Sequence, residues 1–444
     1  MSQDGLGAAK VSATQLDNLV DEEGGQLAAR IFVDQDIYRE ELQRVFARSW
    51  LFVAHESEVP RPGNFVTRSM GEDPVIVWRG ADGVVRVLLN VCRHRGRRVC
   101  NEDMGQAVKF QCPYHGWTYD LQGQLVGVPF LEAYEGGLDV ARHGLLEVPR
   151  VAMRHGLIFA SWAEDGPTLD EYLGPLGWVF DLLFGRSEAV EVVGPPMRWV
   201  AGANWKLAAA NFAGDGHHLF TTHGFRTALN LETIRGQRLS YVLPSEYGHA
   251  CTMSGWPTGV EDKPYARLPK EIWPEIEEHL TKGQAEFLST LAIVVGNVFP
   301  NCSFLQTSSH TPAEWGGDPD GPPISFLTLR QWQPRGPDQM EIFSWQLLDR
   351  NAPQEWKDTA RACFAREFGM AGVFEQDDME NWTEITSTLK SPIANRLTLQ
   401  YRMGLKMDEG QSWPGPGTAY LKHSFEELNE RIFYARWNRL MRQP

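Results

Sequence analysis

The spacing of apolar residues changes along this chain of 444 residues. A stripe of large apolar side chains with helical spacing follows Asp34, a residue type that caps the N-termini of helices. From about residue 52 the pattern changes to short β-rich runs separated by turn residues. These runs cover 64–70, 74–78, 84–91, 107–112 and 117–126. We therefore predict a packing helix followed by a small antiparallel β domain.

The rest of the chain shows neither an internal repeat nor a regular alternation of strands and helices. Strand-like runs cover 303–307, 325–329 and 339–347 and indicate a larger sheet. Helical patterns cover 371–389 and 425–441. The fold class predicted from this order of elements is α+β.

A chain of this length can hold two domains, one of them nested in the other. We expect an N-terminal segment at 1–47 that packs on the last unit, a β domain at 48–165 and a larger domain at 166–444.

The stretch from Asn204 to His223, NWKLAAANFAGDGHHLFTTH, combines a helical pattern with side chains that bind metals. Asn211, Asp215 and His218 are spaced i, i+4 and i+7, which places them on one face of a continuous helix. His223 would point about 140° away on that helix, but the threonines and glycine around it favour a turn. Two imidazoles and a carboxylate beside apolar residues favour a buried metal. A polar helix end with surface histidines explains the same pattern without one.

The composition argues against several classes of partner. The formal net charge of −15 disfavours general nucleic-acid binding and docking on anionic membranes. The N-terminus lacks the basic and apolar regions of a secretory signal, and the longest apolar run is too short to span a bilayer. The six cysteines show no disulfide framework. We expect a cytoplasmic protein that binds neither nucleic acid nor membrane.

Two short motifs in the β domain each pair a cysteine with a histidine at the end of a predicted strand. Cys92 and His94 form the first, and Cys112 and His115 form the second after seventeen intervening residues. Two cysteines and two histidines can bind a structural Zn²⁺, although zinc fingers usually pair like residues. The mixed order favours a two-iron cluster in which the cysteines bind one iron and the histidines bind the other.

The sequences CRHRG and CPYHGWTYDLQGQL resemble the Rieske [2Fe–2S] motif of aromatic ring-hydroxylating dioxygenase large (α) subunits. The resemblance is strongest to the group that acts on biphenyl, naphthalene and polycyclic aromatic hydrocarbons. It implies that Cys92, His94, Cys112 and His115 bind the cluster in a β domain inserted into a catalytic domain. It also implies that the catalytic domain has a helix-plus-antiparallel-sheet fold of the helix-grip, START-like type.

The stretch NWKLAAANFAGDGHHLFTTH resembles the mononuclear iron motif of the same family, Asn-x3-Asp-x2-His-x4-His. By this resemblance, His218 and His223 bind Fe(II). Asp215 is the catalytic carboxylate that links the two metal centres, and Asn211 lies beside the substrate.

The third iron ligand is expected from the helical pattern at 371–389. Periodicity places Asp378 on the face of Phe374, Trp382 and Ile385, whereas Asp377 points about 100° away. A carboxylate among buried aromatic rings needs a cation to offset its desolvation, which favours Asp378, and the family pattern agrees. Acidic residues that interact with the helix dipole explain the same sequence without a metal.

The resemblance implies a terminal oxygenase α subunit that converts an aromatic ring to a cis-dihydrodiol with O₂. The electrons come from NADH through a reductase and a ferredoxin. The expected assembly is an α3β3 hexamer with a small β subunit, in which electrons pass between neighbouring α subunits. His115 of one α subunit would contact Asp215 of the next.

Five residues are expected to line the substrate pocket: Asn211, Phe212, Leu219, Phe368 and Phe374. None of them is an arginine or lysine that would bind a carboxylate, so a neutral aromatic hydrocarbon is the expected substrate. An aromatic carboxylate such as a phthalate or salicylate is the alternative, as is monooxygenation or demethylation with the same two metals. A zinc-stabilised binding protein and a Rieske electron carrier are alternatives from other classes.

Overall fold

The structure is a computed structural model. It describes residues 16–224, 239–243, 245–255, 265–309, 323–406, 410, 412–423 and 426–443. Residues 1–15 of the expected N-terminal segment and residue 425, where the closing helix was predicted to begin, lie outside this range.

Helices lie near both ends of the chain and between groups of strands. Besides short 3-10 turns, the described α-helices are Gln35–Arg44, Leu169–Leu173, Leu176–Phe184, Trp205–Gly214, Trp273–His279, Lys282–Thr290, Gln354–Phe368, Val373–Leu389 and Leu428–Arg442. The first of them begins where the sequence predicts, because the Asp34 carboxylate accepts hydrogen bonds from the backbone N–H groups of Asp36 and Ile37. No helix among the described residues combines the length and the apolar character needed to cross a bilayer.

The strands between residues 48 and 165 form three small antiparallel sheets. One has the strand order Val85–Leu89, Asp73–Arg79, Asn64–Met70 and Met104–Gln106. The second has the order Leu125–Gly127, Thr118–Asp120 and Lys109–Gln111. In the third, Leu51–His55 and Arg150–Arg154 flank Leu157–Ser161, so the strand that enters this region lies beside the strand that leaves it.

The β region encloses its own apolar core around the two Cys/His motifs. Trp78, Phe110, Trp117 and Tyr119 form its centre together with the two motif cysteines. The predicted run at 117–126 is two strands, 118–120 and 125–127, joined by a turn. Gly123 occupies this turn with a φ of 77°, a left-handed conformation that favours glycine.

The second half of the chain builds one large antiparallel sheet, as the strand-like runs predict. Its order is Val190–Val192, Met340–Asp349, Ile324–Pro334, Cys302–Ser309, Leu291–Val298, Ala250–Gly255, Leu239–Val242 and Tyr420–His423. Met197–Ala201 also pairs with Met340–Asp349. A further small sheet joins Val20–Asp21, Gln26–Ala28 and Thr398–Gln400. Mixed helices and antiparallel sheets confirm the α+β class.

Both faces of the large sheet are covered by apolar side chains. Successive side chains of a strand point to opposite faces, so one strand contributes to both cores. Along 340–349, Ile342 and Leu348 join the core that contains helix Trp205–Gly214, whereas Phe343 and Leu347 join the opposite core. The first of these cores lies beneath the candidate metal site.

The N-terminal helix is attached to the large domain by a buried ion pair. Lys206 Nζ lies 2.5 Å from Glu41 Oε1, and both side chains are inaccessible to solvent. The indole N–H groups of Trp205 and Trp437 also donate hydrogen bonds to the Glu41 carboxylate. Because Glu41 belongs to helix Gln35–Arg44, this cluster joins the N-terminal segment to two helices of the large domain.

Candidate metal centres and cavity

The two Cys/His motifs form a pair of matching turns. The carbonyl of Cys92 accepts a hydrogen bond from the Gly96 N–H, and the carbonyl of Cys112 accepts one from the Gly116 N–H. The two glycines have φ angles of 74° and 75°, a left-handed conformation that side chains other than glycine disfavour. The equal geometry presents one cysteine and one histidine from each turn towards the other turn.

The four side chains fit a shared metal cluster. Both cysteine thiols are buried in the β-domain core, whereas both histidines are partly exposed, and their rings lie 4.6 Å apart between centroids. His94 Nδ1 is buried without a hydrogen-bond partner, which is expected of an atom that binds a metal. Burial raises the pKa of the Cys112 thiol, so that the thiolate form needs a cation beside it.

The helix that carries the second candidate site is shorter than its sequence predicts. It begins at Trp205, where the Asn204 side chain accepts the Lys206 N–H, and ends at Gly214. Gly214 has a φ of 142°, and a Cβ atom there would lie 2.4 Å from the Thr252 hydroxyl. Asp215 and His218 therefore do not share a helix face with Asn211, which corrects the expectation of a continuous helix.

A turn centred on Asp215 nevertheless brings the three side chains together. Asp215 Oδ1 accepts hydrogen bonds from the backbone N–H groups of His217 and His218. Asn211 Nδ2 lies 3.4 Å from Asp215 Oδ2 and 3.3 Å from His218 Nδ1. The neighbouring His217 is exposed.

His218 and Asp215 form a charge-assisted pair. His218 Nδ1 lies 3.4 Å from Asp215 Oδ2. Burial alone would raise the pKa of Asp215, but the hydrogen bond and the charge interaction with His218, together with two backbone hydrogen bonds, lower the pKa below its ordinary value. Burial conversely favours neutral His218, but the hydrogen bonds and the charge interaction with Asp215, together with the charge of Asp378, raise the pKa of this histidine above its ordinary value.

His218, His223 and Asp378 form a three-residue group with metal-binding geometry. The ligand atoms of the three residues all lie within 4.8 Å of one another. Asp378 Oδ1 lies 3.6 Å from His218 Nε2 and 3.3 Å from His223 Nε2. Two histidines and one carboxylate are the ligand set of non-haem Fe(II) oxygenases.

Asp377, which helical periodicity directs about 100° away from Asp378, contacts the other histidine. Asp377 Oδ2 lies 3.3 Å from His223 Nδ1. Both histidines thus have a carboxylate at Nδ1 and Asp378 at Nε2. When carboxylates hold the Nδ1 protons, the unprotonated Nε2 atoms face the Asp378 oxygen, and a metal cation between these three acceptors satisfies all of them.

Helix Val373–Leu389 supplies both carboxylates. Phe374, Asp378 and Trp382 are buried on one face, as the periodicity predicts. Ile385 belongs to the same face of this continuous helix, but it is 39% exposed, so burial does not extend along the whole face. Thr386 and Leu389 are buried instead, so the buried side of the last turns is rotated relative to that of the first turns.

The three-residue group opens into a cavity with an empty volume of about 1040 Å³, its mouth included. All five residues expected at the pocket line it: Asn211, Phe212, Leu219, Phe368 and Phe374. The rings of Phe368 and Phe374 stack with centroids 5.2 Å apart. Ile293, Val295 and Leu305 of the large sheet add apolar surface that the sequence analysis did not identify.

A buried arginine lies behind the aromatic wall of this cavity. The Arg330 guanidinium lies 5.3 Å from the ring centroids of both Phe212 and Phe368. It pairs with the Glu375 carboxylate and donates a hydrogen bond to the Phe368 carbonyl. Arg330 is inaccessible to solvent and is not among the residues that line the cavity. Its position in the middle of a strand carried no sequence signal for this role.

Two family models match the chain. The model of the Rieske [2Fe-2S] domain matches residues 49–145. The model of the ring hydroxylating alpha subunit (catalytic domain) matches residues 184–443.

The chain is also similar along almost its whole length to characterised proteins. It is 38% identical to the biphenyl 2,3-dioxygenase subunit alpha of Rhodococcus jostii (strain RHA1), over 96% of this chain and 91% of that protein. It is 36% identical to the N,N-dimethyl phenylurea N-demethylase subunit alpha of Sphingobium sp. (strain YBL2), over 94% and 92% of the two chains. The crystal structure of naphthalene 1,2-dioxygenase from Rhodococcus sp. bound to indole superimposes with a TM-score of 0.88, at 39% identity and 94% coverage of each chain.

Proposed function

We propose a substrate class, a set of metal ligands and an assembly for this chain, which belongs to the family of ring-hydroxylating oxygenase α subunits. Members of this family are oxidoreductases that carry a Rieske [2Fe–2S] cluster and a mononuclear non-haem iron. The proposed reaction is cis-dihydroxylation of a neutral aromatic hydrocarbon. The electrons are proposed to come from NADH through a reductase and a ferredoxin.

The charge of the cavity wall carries the proposal of a neutral substrate. Asp215, Glu367 and Asp378 line the cavity, and no lysine or arginine does so among the described residues. An anionic ring substrate would enter a wall of carboxylates without a cationic side chain to bind it. Arg330 does not provide that cation, because Phe212 and Phe368 separate it from the cavity and Glu375 neutralises it.

The proposed iron ligands are His218, His223 and Asp378, and the proposed cluster ligands are Cys92, His94, Cys112 and His115. When bound, the two centres supply electron transfer and O₂ activation, which no side chain of the protein provides. Asp215 and Asp377 orient the two imidazoles and hold their Nδ1 protons. Asn211 and the phenyl rings of Phe212, Phe368 and Phe374 position the substrate ring beside the ligand set.

Asp215 is also proposed to connect the two centres of neighbouring subunits. Its carboxylate contacts His218, and 31% of its side-chain surface is still exposed. His115 of the next α subunit would contact this exposed surface, since it is a partly exposed cluster ligand. This arrangement requires an oligomer, and we propose the α3β3 hexamer in the cytoplasm, where NADH and the electron carriers are present.

One observation favours a second candidate activity. The phenylurea N-demethylase α subunit is 36% identical to this chain over 94% of its length. Monooxygenation followed by loss of a methyl group uses the same metal centres, so the ligand set does not separate the two activities. We therefore include N-methyl aryl substrates in the test.

The deciding experiment is turnover by the holoenzyme with a reconstituted NADH, reductase and ferredoxin chain. The substrates are biphenyl, naphthalene, phthalate, salicylate and an N,N-dimethyl phenylurea, with ¹⁸O₂ as the oxidant. Two labelled oxygens on a diol from biphenyl or naphthalene support the proposal. Turnover restricted to the carboxylates overturns the proposed substrate class, and exclusive demethylation of the phenylurea overturns the proposed reaction.

A further inference from the structure

One carboxylate in the cavity wall is not part of the candidate metal site. Glu367 occupies the last turn of helix Gln354–Phe368, next to Phe368 in the cavity wall, and only 4% of its surface is exposed. The surrounding wall includes Ile293, Val295 and Leu305. A carboxylate in an apolar wall is costly to desolvate, so its presence requires a compensating interaction.

The compensation involves one of the two carboxylate oxygens. Glu367 Oε1 accepts a hydrogen bond from the Ser309 hydroxyl and lies 2.9 Å from Arg366 Nη2. The same Arg366 nitrogen lies 2.6 Å from the Ser309 hydroxyl oxygen, so the three residues form a closed hydrogen-bond network. Neither Ser309 nor Arg366 lines the cavity, so this network lies on the protein side of Glu367.

The other oxygen takes no part in this network, and Glu367 is one of the residues that line the cavity. Within the part of the chain that the structure describes, Glu367 Oε2 has no hydrogen-bond partner. The hydroxyl-bearing residues Thr307 and Ser308 line the same cavity. A pure hydrocarbon packed over this region would remove water from Oε2 and leave the oxygen unsatisfied, which is unfavourable.

We infer that Glu367 is a specificity-determining residue that favours neutral aromatic substrates carrying an N–H donor, such as nitrogen heteroaromatics and anilines. The donor replaces the water on Oε2, while the aromatic rings and the sheet residues hold the apolar part of the substrate. This inference rests on the proposed function, because it assigns the polar end of the same cavity. It adds to the charge argument, since the carboxylate that accepts an N–H would also repel an anionic substrate.

The competing explanation is that Glu367 is purely structural. Its contact with Ser309 ties the end of helix Gln354–Phe368 to the end of strand Cys302–Ser309. Under that explanation, removing the carboxylate would alter stability and would affect all substrates alike. Matched substrate pairs separate the two explanations, because the members of each pair differ only in the donor.

The experiment compares indole with indene and carbazole with fluorene, which exchange a ring N–H for a CH₂ group. It uses the holoenzyme and the variants Glu367→Gln and Glu367→Met, with Ser309→Ala as the control that removes the structural partner of Oε1. Both kcat/KM and the anaerobic dissociation constant of each ligand are measured. We expect the wild-type preference for the N–H member to fall about ten- to hundredfold in Glu367→Met and less in Glu367→Gln, which keeps an amide acceptor. The preference should persist in Ser309→Ala.

The inference is overturned if the ratio of kcat/KM for the N–H substrate to kcat/KM for its CH₂ partner is unchanged in both Glu367 variants. The proposed function stays intact in that case if biphenyl and naphthalene are still oxidised. A ratio that falls equally in Ser309→Ala also overturns the inference, because the effect then follows the structural network. If no aromatic substrate is oxidised, the proposed function fails, and the ratio of dissociation constants still decides the role of Glu367.

Discussion

The side chains of Asp377 and His223 are in hydrogen-bonding contact, with Asp377 Oδ2 lying 3.3 Å from His223 Nδ1. The adjacent residue on the same helix, Asp378, lies 3.3 Å from the other ring nitrogen of His223. Two consecutive carboxylates therefore contact one imidazole at its two nitrogens. One of them is a candidate ligand, and the other orients the ring and sets its tautomer.

We expect Asp377→Asn to weaken iron binding about ten- to hundredfold, the cost typical of removing the partner that orients a ligating histidine. The [2Fe–2S] absorption should be unchanged, because the two centres are separate. The measurement is iron content after titration with a competing chelator. Glu380→Gln, which alters an exposed carboxylate on the same helix, is the matched control. Equal iron affinity in Asp377→Asn and wild type would contradict the orienting role.

Asp378→Ala, which removes the proposed ligand itself, should lose the mononuclear iron completely.

Asp215→Asn should retain both metal centres and slow electron transfer between them. The amide cannot accept a full charge-assisted hydrogen bond from His218, and it also weakens the contact proposed for the neighbouring subunit. We expect the single-turnover rate of the reduced enzyme to fall at least about tenfold with unchanged metal content. A wild-type single-turnover rate would show that Asp215 does not connect the centres.

Tyr119→Phe should lower the reduction potential of the cluster. The Tyr119 hydroxyl lies 3.4 Å from Cys92 Sγ and accepts the Arg93 N–H, so its own proton is available to the sulfur. A hydrogen bond to a ligand sulfur stabilises the reduced cluster, and its loss at about 1 kcal/mol corresponds to roughly 40 mV for one electron. Potentiometric titration measures the shift. Tyr134→Phe, whose ring lies 6.5 Å from Trp117, is the control and should leave the potential unchanged.

Protonation of His249 should destabilise the fold at acidic pH. Its Nε2–H donates to the Tyr172 carbonyl and its Nδ1 accepts the Phe299 N–H, so a second ring proton has no acceptor. Burial lowers the pKa of His249 from 6.5 to about 3. The unfolded chain therefore binds one more proton than the native chain between these values, and the free energy of unfolding falls as the pH falls below 6.5, by up to about 1.4 kcal/mol per unit.

The measurement for His249 is denaturant unfolding at several pH values between 4 and 7.5, with tryptophan fluorescence as the signal. His249→Gln should be less stable than wild type at pH 7.5, with a shallower loss of stability towards acid. His279→Gln removes an exposed histidine and should keep the wild-type slope. Parallel pH curves for wild type and His249→Gln would refute the assignment.

The buried Glu41–Lys206 pair should behave as a unit. Glu41→Leu leaves the Lys206 ammonium without a counter-charge in the core and should cost about 3–5 kcal/mol of unfolding free energy. Combining it with Lys206→Met removes both charges and should recover most of that loss. Equilibrium unfolding of the two single variants and the double variant measures the coupling. Additive losses in the double variant would contradict it.

The local patterns of the sequence anticipated the elements with the strongest periodicity. The β-rich run at 64–70 and the helix cap at Asp34 depend on neighbours in the chain, and both the strand and the cap occur as predicted. Residue type and spacing also identified the His/His/Asp group and the paired Cys/His turns, because few combinations of side chains bind metals and their motif spacing resembles one family. The spacing argument was right about which residues meet and wrong about why, since the helix ends at Gly214.

These local patterns do not predict contacts between segments that are distant in the sequence. Periodicity gives the direction of a side chain on its own helix, so it separated Asp377 from Asp378, but it does not say that His223 lies across from both. In the same way, Arg330 is shielded from the cavity because Phe212 and Phe368, which belong to different helices, pack over its guanidinium. Glu367 lines the cavity because Ser309, at the end of a strand, fixes one of its oxygens. Each of these facts depends on which elements pack against each other, and that is set by the burial of the whole apolar surface rather than by any local stretch.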